Sequence, residues 1–250
     1  MSGHSKWASI KHKKGVTDAK RGQLFTKLAR EIQVAAREGG GDADSNFRLR
    51  LSVQRAKQEG MPADNITRAI ARGVGGQQGG ASYEEITYEG YGPAGTALMV
   101  KTLTDNRNRT VSEIRNLFTR GGGNLGESGS VAWMFDATGI ITIELGPKQS
   151  AEDVELLAID AGAQDVKADE GVVEVYTGFG DLKAVEERLR GQGLNIASAE
   201  QTMLPQTMIT VEHDKAQSNL RLIERLEELD DVQQVYTNLE LSEEQVAALG

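Results

Sequence analysis

From Gly139 to Gln201 the apolar residues recur in an order that few folds accept. A strand over 140–145, a helix over 151–161, strands over 164–168 and 172–177, a helix over 181–191 and a strand over 195–201 spell β-α-β-β-α-β. That order is the split-βαβ, ferredoxin-like signature. After Leu204-Pro205 come a strand over 207–212, a helix over 215–229 and a strand over 232–237, one further βαβ unit. Alone it cannot bury its sheet. Upstream, strands over 86–91 and 96–103 flank a Gly-Pro-Ala-Gly turn, and a helix over 110–120, a glycine-rich loop and a strand over 131–135 follow. The economical solution pairs this early β-β-α half with the late βαβ unit across the segment between them. The expected fold class is α+β and multidomain: an N-terminal three-helix domain followed by two α/β ferredoxin-like domains, the second inserted in the first.

The expected boundaries are a basic helical domain over 1–78, a discontinuous α/β domain over 79–136 plus 205–250, and an inserted domain over 137–204. In the first, Leu24, Phe25, Leu28, Ala29, Ile32, Ala35 and Ala36 share one face at about 100° per residue. Lys20, Lys27, Arg30 and Arg37 fall opposite. Gly39-Gly-Gly41 stops this helix. Ser45 is the cap candidate of a second helix to Glu59, and Pro62 opens a third to Arg72.

Charge divides the chain just as sharply. The first seventy-five residues hold fifteen Lys and Arg against seven Asp and Glu, and the remaining 175 hold thirteen against thirty. A net charge of −9 thus hides a head near +8 and a body near −17. Such asymmetry points to a polyanionic partner that docks on the head. The arm sets Trp7 among Lys6, Lys11, His12, Lys13 and Lys14. Cations neutralise phosphates and an indole stacks on a base, so these residues, with Lys20, Lys27 and Arg30, are the candidate nucleic-acid-binding set. For Trp7 alone, packing beneath the helices is the better reading.

A second motif, Thr104-Asp105-Asn106-Arg107-Asn108-Arg109-Thr110, lies at a strand-to-helix corner. Two readings stand level. Arg107 and Arg109 grip a phosphate at the helix start, or Asp105 or Asn106 caps the helix while the arginines pair with nearby acids. Gly121–Ser130 resembles a phosphate cradle but lacks the Gly-Lys-Ser/Thr end of a P-loop and follows a helix. His4 and His12 make a poor metal site without further ligands. Cysteine is absent, which excludes disulfides and thiol chemistry. No cofactor fingerprint, membrane span or secretory signal stands out.

At these residues the chain closely resembles the YebC family of bacterial gene-expression regulators, whose mitochondrial relatives activate translation of a cytochrome oxidase subunit. The match is carried by Gly3-His-Ser-Lys-Trp7 with Ile10-Lys-His-Lys-Lys14, by Arg21-Gly-Gln-Leu-Phe-Thr-Lys27 and by Asn65-Ile-Thr-Arg-Ala-Ile70. It continues through Tyr88-Glu-Gly-Tyr-Gly-Pro93, Leu103–Thr110, Gly122-Gly-Asn-Leu-Gly126 and Gly129-Ser-Val131. Ala94 stands where the family often has Gly. The resemblance implies three domains, with the two α/β domains around a cleft, no enzyme activity and a cytoplasmic, bacterial-type form. It also implies DNA as partner, or RNA and the ribosome, where relatives ease elongation through proline-rich stretches. The third helix offers few base-reading side chains (Asn65, Thr67, Arg68, Arg72), which favours recognition of shape and backbone. An enzyme working in the cleft of the acidic body is the alternative of another class. The sequence leaves the oligomeric state open.

Overall fold

The computed structural model describes residues 18–75, 82–147, 149–169 and 171–247. They fall into two compact units, one within Met1–Phe135 and Pro205–Gly250, the other Asp136–Leu204.

The first unit begins with three helices, α1 (Asp18–Gly39), α2 (Phe47–Gln58) and α3 (Ala63–Val74). The apolar face of α1 forms their core: Leu28, Ile32, Ala35 and Ala36 are buried with Leu49, Ala56, Met61, Ile66 and Ala69, and Leu24, Phe25 and Ala29 pack against them. The α1–α2 turn is closed by Asn46, not Ser45. The Asn46 amide donates to the Ala35 and Gly40 carbonyls, and its oxygen accepts from Leu49 N–H as the cap of α2. Pro62 is itself the N-cap of α3. Gly73 lets α3 meet α1 closely, because a Cβ there would sit 2.4 Å from the Gln33 carbonyl oxygen.

The same unit holds β1 (Glu84–Tyr91), β2 (Ala97–Thr104), α4 (Arg107–Arg120) and β3 (Asn124–Leu125), and, after the insertion, β8 (Ile209–Thr210), α7 (His213–Glu227), β9 (Val232–Thr237), β10 (Leu239–Glu240) and α8 (Glu243–Ala247). The sheet order is β3-β1-β2-β9, with β1 antiparallel to β2 and β2 antiparallel to β9. The late unit therefore joins the early half as its unburied sheet demands. Tyr88, Leu98, Val100, Ile114, Phe118, Leu222, Ile223, Leu226, Val232 and Val235 form the core between this sheet, α4 and α7. Burying these side chains is worth roughly 1.5–3 kcal/mol each before entropy is subtracted.

The expected strand over 207–212 does not enter this sheet. Only Ile209 and Thr210 are extended, and they pair in parallel with Leu239 and Glu240. The segment over 131–135 differs too: Ala132–Met134 is a 3-10 turn, and the strand starts at Phe135.

The second unit contains β4 (Phe135–Glu144), α5 (Ala151–Asp160), β5 (Asp165–Asp169), β6 (Val172–Gly178), α6 (Leu182–Gly191) and β7 (Ile196–Pro205). Its sheet order, β5-β6-β4-β7, puts the first and third strands at the centre, the arrangement that β-α-β-β-α-β connectivity produces. Among the described residues no helix is long and apolar enough to cross a membrane.

Candidate functional site

Lys6, Trp7, Lys11, His12, Lys13 and Lys14 lie outside the described residues. The remaining head candidates do not form an open basic stripe. Lys20 stands 3.6 Å from Glu228, and Lys27 Nζ donates to the Glu227 carbonyl oxygen at 2.5 Å. Arg30 goes further inward. Its side chain is 15% exposed, and Nη1 donates to the Leu103 and Asp230 carbonyls and, at 2.8 Å, to Asp231 Oδ1. Lys27 and Arg30 thus meet carbonyls at and just beyond the C-terminal end of α7, where partial negative charge collects. For Arg30 the expectation of a phosphate contact is corrected: it joins the helical head to the discontinuous α/β domain. Arg48 adds a second link, with Nη2 2.5 Å from Glu85, which Lys101 also approaches at 3.2 Å. Exposed cations of the described head are Lys20, Arg21, Arg37, Lys57, Arg68 and Arg72.

The second motif is resolved residue by residue. Asn106 is the N-cap of α4 and its side chain accepts from Arg109 N–H at 3.1 Å. Arg109 Nη2 donates to Asp231 Oδ2 at 2.6 Å and to Asp105 Oδ1 at 2.9 Å. Thr104 and Thr110 hydroxyls also donate to Asp231 Oδ2. For Asp105, Asn106 and Arg109 the internal reading wins. Arg107 and Asn108 are exposed, and Arg107 makes no ion pair among the described residues. Burial alone would raise the Asp231 carboxyl, but hydrogen bonds from Arg109, Thr110, Thr104 and Arg30 outweigh it and hold the group below the ordinary carboxylate range.

The Gly121–Ser130 loop is a cradle filled from within. The Glu89 carboxylate, 6% exposed, accepts from Gly129 N–H at 2.7 Å and from Val131 and Ala132 N–H at 2.8 Å each. Burial pushes its pKa up, and these three donors bring it below the ordinary value. A protein carboxylate therefore occupies the place a phosphate would take. Sequence reasoning missed Trp133, which is 65% exposed beside this loop. Its apolar setting, Val131-Ala-Trp-Met-Phe135, reads as a buried strand; the preceding run of small residues is the signal that points to a turn instead. Among the described residues no group of three or more His, Cys, Asp and Glu is arranged to hold a metal.

A helical head, a discontinuous α/β domain joined to it through Asp231, and an inserted β-α-β-β-α-β unit define the class. The TACO1/YebC protein N-terminal domain matches residues 5–76, and the TACO1/YebC second and third domain matches residues 83–239. The chain belongs to the TACO1/YebC family. It is 57% identical over 244 residues to a probable transcriptional regulatory protein of Herpetosiphon aurantiacus, covering 98% of this chain and 96% of that one. It is 54% identical over 244 residues to a probable transcriptional regulatory protein of Pelotomaculum thermopropionicum, covering 97% and 100%. A crystal structure of a conserved hypothetical protein from Aquifex aeolicus superposes with a TM-score of 0.78 at 45% identity, covering 90% of this chain and 93% of that one.

Proposed function

We propose that this protein is a non-enzymatic, nucleic-acid-binding regulator of gene expression that engages DNA or RNA through its basic head. The observation that carries the reading is the charge partition, near +8 over the first seventy-five residues against near −17 over the rest. Family membership and the names of the relatives support it. Because Arg30 and Lys27 turn toward the α/β domain, the contact falls to Lys6, Trp7, Lys11, His12, Lys13 and Lys14 and to the exposed cations Lys20, Arg21, Lys57 and Arg72. The three parts, 1–78, 79–136 with 205–250, and 137–204, act as a polyanion reader, a supporting scaffold and an appended module.

Structured RNA is the favoured partner. On α3 the Arg68 side chain is tied to Asn65 and to the Asp64 carbonyl, which leaves fewer groups to read base edges. A head with cations and few base readers suits backbone and shape recognition. The test is crosslinking in cells followed by sequencing of bound DNA and bound RNA from the same sample. Enrichment of ribosomal or messenger RNA supports the translational form; enrichment of promoter DNA supports the transcriptional form; enrichment of neither removes the reading.

A further inference from the structure

We propose that Trp133 is a stacking platform for an unpaired base of a single nucleic-acid strand, a contact outside the basic head that rests on the nucleic-acid reading above. The indole is 65% exposed. It is nevertheless held: Nε1 donates to the Ser130 carbonyl oxygen at 3.1 Å, and the Tyr91 hydroxyl donates to that same oxygen at 2.9 Å. Two aromatic side chains thus share one acceptor. The carbonyl belongs to the loop that Glu89 fixes through three backbone N–H groups. Val131 and Phe135, on either side in the chain, are buried and anchor the turn. The ring is tied by its one polar atom while most of its surface stays in solvent.

An exposed tryptophan forgoes the hydrophobic gain of burial. One whose orientation is already fixed loses less freedom when a ligand covers it. The surroundings select the ligand. Val74 is the other large apolar side chain exposed in this unit among the described residues, and it lies on α3. Before Trp133 the loop exposes Glu127, Ser128 and Gly129, and the half-buried Met134 follows it in the chain. A protein-docking surface takes a contiguous apolar patch. A single exposed indole that follows a polar, glycine-containing loop fits a flat ligand that brings its own polar rim, which describes a base on its sugar and phosphate. Every base offers a π-face, so the contact tolerates any sequence. Five glycines between Gly121 and Gly129 leave few side chains in the way of an approaching strand.

The test uses the full chain and fluorescence anisotropy with two labelled strands of equal length and charge, a single-stranded oligoadenylate and an abasic sugar–phosphate polymer. Wild type is expected to bind the base-bearing strand more tightly. Trp133→Ala is expected to weaken that binding roughly ten- to a hundredfold, toward the abasic level. Affinity for the abasic strand and the salt slope should stay unchanged. Trp133→Phe keeps a ring and should retain most of the preference, which also controls for folding. Ribose and deoxyribose versions of the probe separate RNA from DNA. Equal binding of oligoadenylate by wild type and Trp133→Ala overturns the stacking role, as does an equal loss on both strands. Failure of wild type to bind either strand, seen before any variant is made, overturns the stacking platform by itself; the nucleic-acid reading falls only if crosslinking in cells also recovers neither DNA nor RNA.

Discussion

Arg30 of the helical head stands 2.8 Å from Asp231, in the turn between α7 and β9, although 201 positions separate them in the chain. Arg109 occupies the second oxygen of the same carboxylate at 2.6 Å. Asp231→Ala would leave the half-buried Arg30 without its counter-ion and Arg109 with Asp105 alone, and would take from the Thr104 and Thr110 hydroxyls the carboxylate they share. The expected loss is about 3–5 kcal/mol in urea unfolding. The folded pKa of Asp231 is lowered. Its stabilisation is therefore fully present above the unfolded value of about 3.9 and is lost as pH falls through the folded value. The stability gap between wild type and Asp231→Ala should hold constant from neutral pH down to about 5 and narrow in stronger acid. A gap that narrows near neutrality would point to another group.

Arg107 and Arg109 should separate cleanly. Arg109→Ala should cost about 1–3 kcal/mol of stability, because it strips a charged donor from Asp231. Arg107→Ala should change the melting temperature little, since an exposed side chain with no ion partner is being removed. We expect Arg107→Ala to bind nucleic acid nearly normally yet fail to rescue a deletion strain. Full rescue would leave the corner with a structural role alone.

Glu89→Gln removes the charge that gathers three backbone N–H groups. Roughly 1–3 kcal/mol of loop stability should go with it. Hydrogen exchange at Gly129, Val131 and Ala132 should accelerate while the amides of β2 stay protected. Unchanged exchange at these three amides would mean the loop is held by something else.

On the proposed reading the arm carries the long-range attraction. Wild-type affinity should fall with salt at a log–log slope of magnitude roughly 4–8. Joint reversal of Lys11, Lys13 and Lys14 to Glu should abolish binding at physiological salt with the melting temperature unchanged. Arg30→Ala should show the opposite pattern, lowering stability more than affinity. If Arg30→Ala instead weakens binding at full stability, the side chain reaches the ligand after all.

Ala94 is the one non-glycine residue at positive φ among the described residues, at φ 60 and ψ 22. A Cβ in that region is strained by about 1–2 kcal/mol, offset in part by the greater freedom glycine has when unfolded. Ala94→Gly should therefore stabilise the protein by about 0.5–1 kcal/mol, read as a rise in melting temperature.

Periodicity made much of this fold readable. The face of α1 from Leu24 to Ala36 lines the core because a helix buried on one side must repeat its apolar residues every three or four positions. The pairing of β2 with β9 follows from a sheet that would otherwise lie bare. Periodicity says nothing about which partner a cation will find. Lys20, Lys27 and Arg30 make the same stripe whether water, phosphate or Asp231 faces them, and only the long-range fold brings Asp231 there. Trp133 was hidden for a related reason: its neighbours Val131 and Phe135 are buried, and the turn that reverses its exposure depends on Glu89, some forty residues earlier.

The pairing of β2 with β9 also governs when a newly made chain can be completed. Residues 97–104 leave the ribosome long before residues 232–237, and the whole inserted unit is synthesised in between. Closing so large a loop costs entropy that only the finished sheet recovers. The helices of the head can assemble early from local contacts, but Arg30 has no carboxylate to meet until Asp231 is made. A chain truncated before that point therefore carries a folded basic head whose docking cations stand bare, beside an unpaired β2 edge. Such an edge invites aggregation, so a premature stop as late as about nine-tenths of the way through the gene still removes the segment the rest of the protein waits for.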